Sequence, residues 1–179
     1  MARLGARLGL TRFDADEYYK LALKAFKKND VEEAILNMTH AIALLPYRAE
    51  YYAARGFFHL EDGVDLKAAE DFDKALEISN YEMLANYGKG IIAYRDKDWE
   101  GASHYFLAAW AASPERAETL YYLAMVAYRM KAFARAADWM MRARASYEKR
   151  GEKKSVNDAN EWIREFRLQD SRDHLLKND

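Results

Sequence analysis

Four alanines, Ala34, Ala68, Ala102 and Ala136, recur every 34 residues, and Ala41, Ala75, Ala109 and Ala143 keep the same interval seven residues further on. A period of that length confines the chain to repeated supersecondary units, each able to bury its apolar side only against its neighbours. Between the two columns, in phase, lie Met38, Phe72, Phe106 and Met140, so every unit reads Ala-x-x-x-(Phe/Met)-x-x-Ala along one helical face. Alanine at a helix crossing lets two backbones approach, and the bulky residue between fills the hole beside the contact. A third small column, Ala22, Gly56, Gly90 and Ala124, supplies the matching sites on the preceding helix of each unit. Pro46 and Pro114, two periods apart, stop the runs before them, and Asn80 takes the corresponding place between them. Lys28-Asn29-Asp30, Asp62-Gly63 and Asp96-Lys97-Asp98 lie midway through the units, where they supply turn or N-cap side chains. Each unit is therefore predicted to be a helical hairpin.

Composition narrows the function. Of 179 residues, 51% are hydrophobic and 32% charged with a formal net charge of -1, which suits a globular chain and carries no electrostatic footprint for nucleic acid. There is no cysteine, so disulfides and thiolate sites are excluded and a reducing, cytoplasmic location is expected. No apolar run is long enough for a transmembrane segment. Residues 1–14 form a basic arm, with Arg3, Arg7 and Arg12 ahead of any acid; the arm lacks the continuous apolar core of a secretory signal and has alanine where myristoylation needs glycine, so it is read as retained.

From about Ala15 to Arg150 the small, bulky and proline columns make the chain resemble the tetratricopeptide repeat family. The resemblance implies an all-α fold, a right-handed superhelical α-solenoid of antiparallel helix pairs with repeats 15–48, 49–82, 83–116 and 117–150. It departs from the family pattern at Asn86 and Leu120, where an aromatic is usual, at Arg55 and Lys89, where leucine is usual, and at Asp65. Beyond the repeats, Ala159, Trp162, Ile163 and Phe166 share one helical face, with Ser155 and Asp158 at an expected N-cap, and predict a capping helix over 151–169 followed by a tail, 170–179.

The resemblance further implies that first helices line a concave groove. The positions carried across name Tyr19, Leu23, Phe57, Tyr87, Ile91, Tyr94, Tyr121, Met125 and Tyr128 as a partner-binding wall, with Tyr19, Tyr87 and Tyr121 least open to being claimed by a neighbouring repeat. Such aromatic and aliphatic contact area suits an apolar or amphipathic peptide or helix segment of another protein. The positions where relatives clamp a terminal carboxylate hold Tyr19, Leu23, Ala54, Leu84 and Gly88, which cannot replace a carboxylate's hydration. The expectation is a non-catalytic scaffold or adaptor, in the manner of an assembly factor; the alternative is a self-associating homo-oligomer using the arm or the stack ends.

Catalytic, cofactor and metal sites are not expected. Gly88-Lys89-Gly90-Ile91-Ile92-Ala93 matches G-x-G-x-x-A but falls inside a helix instead of after a strand, and Gly88 has no packing explanation at the level of sequence. Asn37-Met38-Thr39 matches a glycosylation acceptor, with Met38 at a core position. His40, His59, His104 and His174 share no ligand spacing, and Lys149, Arg150, Lys153 and Lys154 read as a solvated linker.

Overall fold

The computed structural model describes the backbone of residues 2–177 and the side chains of residues 11–175. Among these residues there are nine helices and no strand: α1 (Ala2–Lys27), α2 (Val31–Leu44), α3 (Ala49–Glu61), α4 (Asp65–Ile78), α5 (Met83–Arg95), α6 (Trp99–Ala112), α7 (Ala117–Arg129), α8 (Phe133–Lys149) and α9 (Lys153–Lys177). The fold of the described residues is all-α, and the boundaries of α2 to α7 fall in the 34-residue phase. The chain divides into two compact units, Met1–Lys89 and Gly90–Asp179, the boundary lying within α5.

The phase extends to the backbone. Asn29, Gly63, Lys97 and Lys131, one per unit of repeat, all have φ between 60° and 77° and end the first helix of each pair. After this left-handed residue the next helix is capped by the side chain of Asp30, accepting from the Glu33 N–H at 3.1 Å, and by that of Asp98, accepting from the Gly101 N–H at 2.9 Å.

In the first unit, α1 pairs with α2 and α3 with α4. Ala22, Ala34, Met38, Ala41, Ala68, Phe72 and Ala75 are all fully buried. The small residue on the first helix is dictated by the bulky one on the second. A Cβ on Gly56 would come within 2.8 Å of the Phe72 ring, and one on Gly88 within 2.1 Å of the same ring, so glycine is required at both. Gly88 is thus the far wall of the Phe72 pocket, a packing role that sequence pattern alone did not supply.

Three departures from the repeat pattern are compensated here. Arg55 donates from Nε and Nη2 to Asp71 at 2.8 and 2.7 Å and from Nη1 to Thr39 at 3.1 Å, and the Asp71 hydrogen bonds hold the guanidinium above its usual pKa against the opposing effect of burial. Lys89 reaches Asp73 at 2.5 Å. Asn86, buried in place of an aromatic, donates to the carbonyls of Asn80 and Glu82, each at 3.0 Å, and so ties down the turn in which Asn80 replaces proline.

In the second unit, α7 packs on α8 and α8 on α9. Ala102, Phe106, Ala109, Ala124, Ala136, Met140 and Ala143 are fully buried. A Cβ on Gly90 would meet the Phe106 ring at 2.7 Å. Ala159, Ile163 and Phe166 of α9 complete this core.

The ends differ from expectation. α1 is continuous from Ala2, so the arm's backbone is helical and runs without a break into the first repeat helix; no glycine or proline follows Gly9 until the turn. α9 starts at Lys153, after Gly151 at φ 73°, which places Ser155 and Asp158 inside the helix and not at its cap. It also continues through 170–177, read from sequence as tail; that stretch has no glycine or proline, and His174 lies 3.8 Å from Asp170 at i,i+4. Residues 178 and 179 lie outside the described residues.

Candidate functional site

Each unit presents part of the expected wall. In the first, Tyr19 is half-buried and stacks on Tyr51 with centroids 5.4 Å apart, while Tyr51 donates to Asp16 at 2.9 Å. Leu23 is 43% exposed. Phe57 is half-buried and meets Phe26 edge-on at 5.9 Å. Tyr87 is 6% exposed, so most of its ring is packing surface. Burial pushes the Tyr19 phenol above its usual pKa, with Glu50 and Glu82 adding to the rise; burial also raises the Glu82 carboxyl. Glu50 and Glu82 border a cleft of about 340 Å³ that also includes Tyr47, Arg48 and Tyr81.

In the second unit, Ile91 and Met125 are 8% and 6% exposed and belong to the core. The accessible members are aromatic. Tyr94 and Tyr121, both half-buried, lie edge-on to Tyr122 at 5.5 and 5.7 Å. Tyr128 is half-buried, 5.1 Å from Phe166 and 6.2 Å from Trp162, and Trp162 stacks on Phe166 at 5.5 Å.

A cleft of about 650 Å³ in this unit is bounded by Tyr121 of α7, Tyr147 of α8 and, from α9, Ser155, Asp158, Ala159, Glu161, Trp162 and Glu165. Of the expected site residues only Tyr121 lies in it. The rest of its lining comes from α8 and α9, outside the first helices of the four repeats to which the resemblance confines the wall. A signal for the α9 residues existed: 34 residues beyond Tyr121, Met125 and Tyr128 stand Ser155, Ala159 and Trp162, so α9 continues the first-helix register. The Tyr147 phenol is pushed up to about 12 by burial and then by the carboxylates of Glu118 and Glu152. Burial also raises Tyr121, with smaller contributions from Tyr94, Tyr122 and Asp158. At the α8–α9 turn Arg150 bonds Glu118 at 2.9 Å and Glu152 at 2.5 Å, bonds that hold its guanidinium well above the usual range.

Among the described residues no group of three His, Cys, Asp or Glu side chains is placed to hold a metal ion, and no helix is long and apolar enough to cross a membrane.

No family profile and no curated protein matches the chain. Solved structures do. PilF of Pseudomonas aeruginosa superposes with a TM-score of 0.68 at 20% identity, over 87% of this chain and 78% of PilF. YrrB, described as a TPR protein with an unusual peptide-binding site, gives 0.59 at 18% over 86% of each chain. The first TPR domain of Spaghetti (RPAP3), solved with the HSP90 peptide SRMEEVD, gives 0.63 at 18% over 66% of this chain and 97% of that domain. The helix pairs, their 34-residue phase and these superpositions together give the chain the tetratricopeptide repeat fold.

Proposed function

We propose that the chain is a non-catalytic interaction module that holds a segment of a partner protein against the aromatic faces of its first helices, as an adaptor in an assembly. The observation that carries this reading is, in the first unit, the half-buried rings of Tyr19 and Phe57 with Leu23 exposed and, in the second, the half-buried rings of Tyr94, Tyr121 and Tyr128. A ring fixed by its neighbours on one side and open on the other offers contact area at little entropic cost. Two proteins of the same fold, YrrB and the RPAP3 domain, are described with a peptide site and a bound peptide, which supports the same use here.

Tyr87, Ile91 and Met125 serve this reading as packing behind the wall, so substitutions there would confuse folding with binding. The test is affinity purification from native lysate with the wild-type chain beside Leu23→Glu, for the first unit, and Tyr121→Ala, for the second, after circular dichroism has shown equal helicity. A protein retained by the wild type and lost from either variant supports the wall as the site. For that protein Tyr121→Ala should cost about 1–2 kcal/mol of affinity, a moderate hot spot. Equal recovery by all three chains sinks the proposal.

A further inference from the structure

The cleft of the second unit differs in character from the cleft bordered by Glu50 and Glu82 in the first, which includes Arg48. Its walls are three rings, Tyr121, Tyr147 and Trp162, and its only ionisable groups besides the two phenols are carboxylates, Asp158, Glu161 and Glu165. These acids stand at i, i+3 and i+7 and so share one face of α9 with Trp162 among them. Among the described residues neither Asp158 nor Glu161 forms an ion pair, and Glu165 accepts from the Gln169 amide at 2.7 Å. No cation lines the space. Arg150, at the α8–α9 turn, is already engaged by Glu118 and Glu152. A metal ion is a poor occupant, since no three ligating side chains converge closely enough to hold one.

We infer that this cleft receives an arginine side chain from a basic segment of a partner protein, the guanidinium lying against the Trp162 and Tyr121 rings and donating to the α9 carboxylates. The inference rests on the partner-binding reading above and names the partner's chemistry. Three carboxylates with no ion pair among the described residues make the cleft electrostatically complementary to a cation, and they make it repel an acidic segment. The rings select which cation. A guanidinium is planar, weakly hydrated and able to stack on an aromatic face while its edge donates to a carboxylate, whereas an ammonium is a strongly hydrated point charge.

The test uses the full-length chain and three end-capped synthetic peptides of one leucine–alanine sequence, carrying at every third position arginine, lysine or citrulline; citrulline keeps the shape of arginine and removes its charge. Titration calorimetry should show the arginine peptide binding at least tenfold more tightly than the citrulline peptide and several-fold more tightly than the lysine peptide. In the triple variant Asp158→Asn, Glu161→Gln, Glu165→Gln, whose changes lie outside the buried core and should leave the melting temperature unaltered, the advantage of arginine over citrulline should disappear while citrulline binding is unchanged. Equal binding of arginine and citrulline by the wild type overturns the inference and leaves the wall reading standing, because that reading is judged by the Leu23 and Tyr121 variants. Absence of arginine-peptide binding overturns it too. Sedimentation velocity without peptide closes the remaining case: a mass that grows with concentration and is abolished by the triple variant would give the cleft to a second copy of the chain, and would overturn its assignment to a separate partner.

Discussion

The two middle repeats and the two outer ones solve the same packing problem with opposite allocations of volume. In the middle repeats the second helix carries phenylalanine, Phe72 or Phe106, and the first helix gives up its Cβ at Gly56 or Gly90. In the outer repeats the second helix carries Met38 or Met140, and the first helix keeps its methyl at Ala22 and Ala124, all four fully buried. What is held constant is the sum of the pair and not either residue. A flat rigid ring cannot bend away from an added methyl, while an unbranched thioether adapts to one.

The largest test of that comparison is removal of a ring. Phe72 fills space beside both Gly56 and Gly88, so Phe72→Ala should destabilise the chain by about 3–5 kcal/mol, a loss that neither neighbouring glycine can collapse to recover. Met140→Ala in an outer repeat should cost about 2–5 kcal/mol, and less than Phe72→Ala in a paired measurement. Urea denaturation followed by circular dichroism reads both; a larger loss at Met140 would break the comparison.

Next in size is the added methyl. Gly88→Ala brings a Cβ within 2.1 Å of the Phe72 ring and should cost about 1–3 kcal/mol, despite alanine's better helix propensity. The comparison predicts more than a cost. Phe72→Met should relieve part of it, so that the double variant is more stable than the sum of the single changes implies. Strict additivity in that cycle would mean that ring and glycine do not act as a pair.

Much of this was legible in the sequence. The columns at Ala34, Met38 and Ala41 announced both the period and the core, because buried contacts in a repeat protein recur at fixed register. Gly88 was not legible, because it falls outside the small column and its reason is the ring of Phe72, sixteen residues earlier on another helix. Arg55 and Lys89 read only as departures from the family pattern for a related cause: their partners Asp71 and Asp73 lie off the apolar columns that define the repeat. For the proposed wall, positions were legible in the sequence but exposure was not. Family register placed Tyr19, Tyr94 and Tyr121 on the wall, but whether a wall residue is open or covered depends on its neighbours' side chains, which is why Tyr87 and Met125 proved buried. The α9 cleft was hidden by ending the register at Arg150.

The Arg55 and Asp71 pair offers a smaller test of how a middle repeat tolerates a polar intrusion. Asp71→Ala leaves the guanidinium of Arg55 bonded only to Thr39. The Arg55 side chain is 21% exposed and can reach water, so the expected loss is about 1–3 kcal/mol, below that for a sealed ion pair. Arg55→Leu with Asp71→Leu, an apolar replacement of both partners, should recover most of it in the same urea titration. If the double leucine variant is as unstable as Asp71→Ala, the pair is specifying the interface and not merely compensating for lost apolar contact.

The smallest effect sharpens the comparison at the backbone, where the repeats differ in residue but agree in conformation. Position 63 carries glycine at φ 77°, and the equivalent positions carry Asn29, Lys97 and Lys131 at φ 60° to 63°. A lysine in this region crowds its Cβ against the neighbouring carbonyl at a cost of roughly 1–2 kcal/mol, while glycine escapes that crowding but loses more chain entropy on folding. The two terms oppose each other, so Lys131→Gly should stabilise the second unit by only about 0.5–1 kcal/mol. Gly63→Lys should destabilise the first by a similar amount, since an added Cβ there meets no atom within 4 Å and the whole penalty is conformational. A loss of stability in Lys131→Gly would show that the exposed lysine contributes something its left-handed backbone does not reveal, and the turns would then differ in more than residue type.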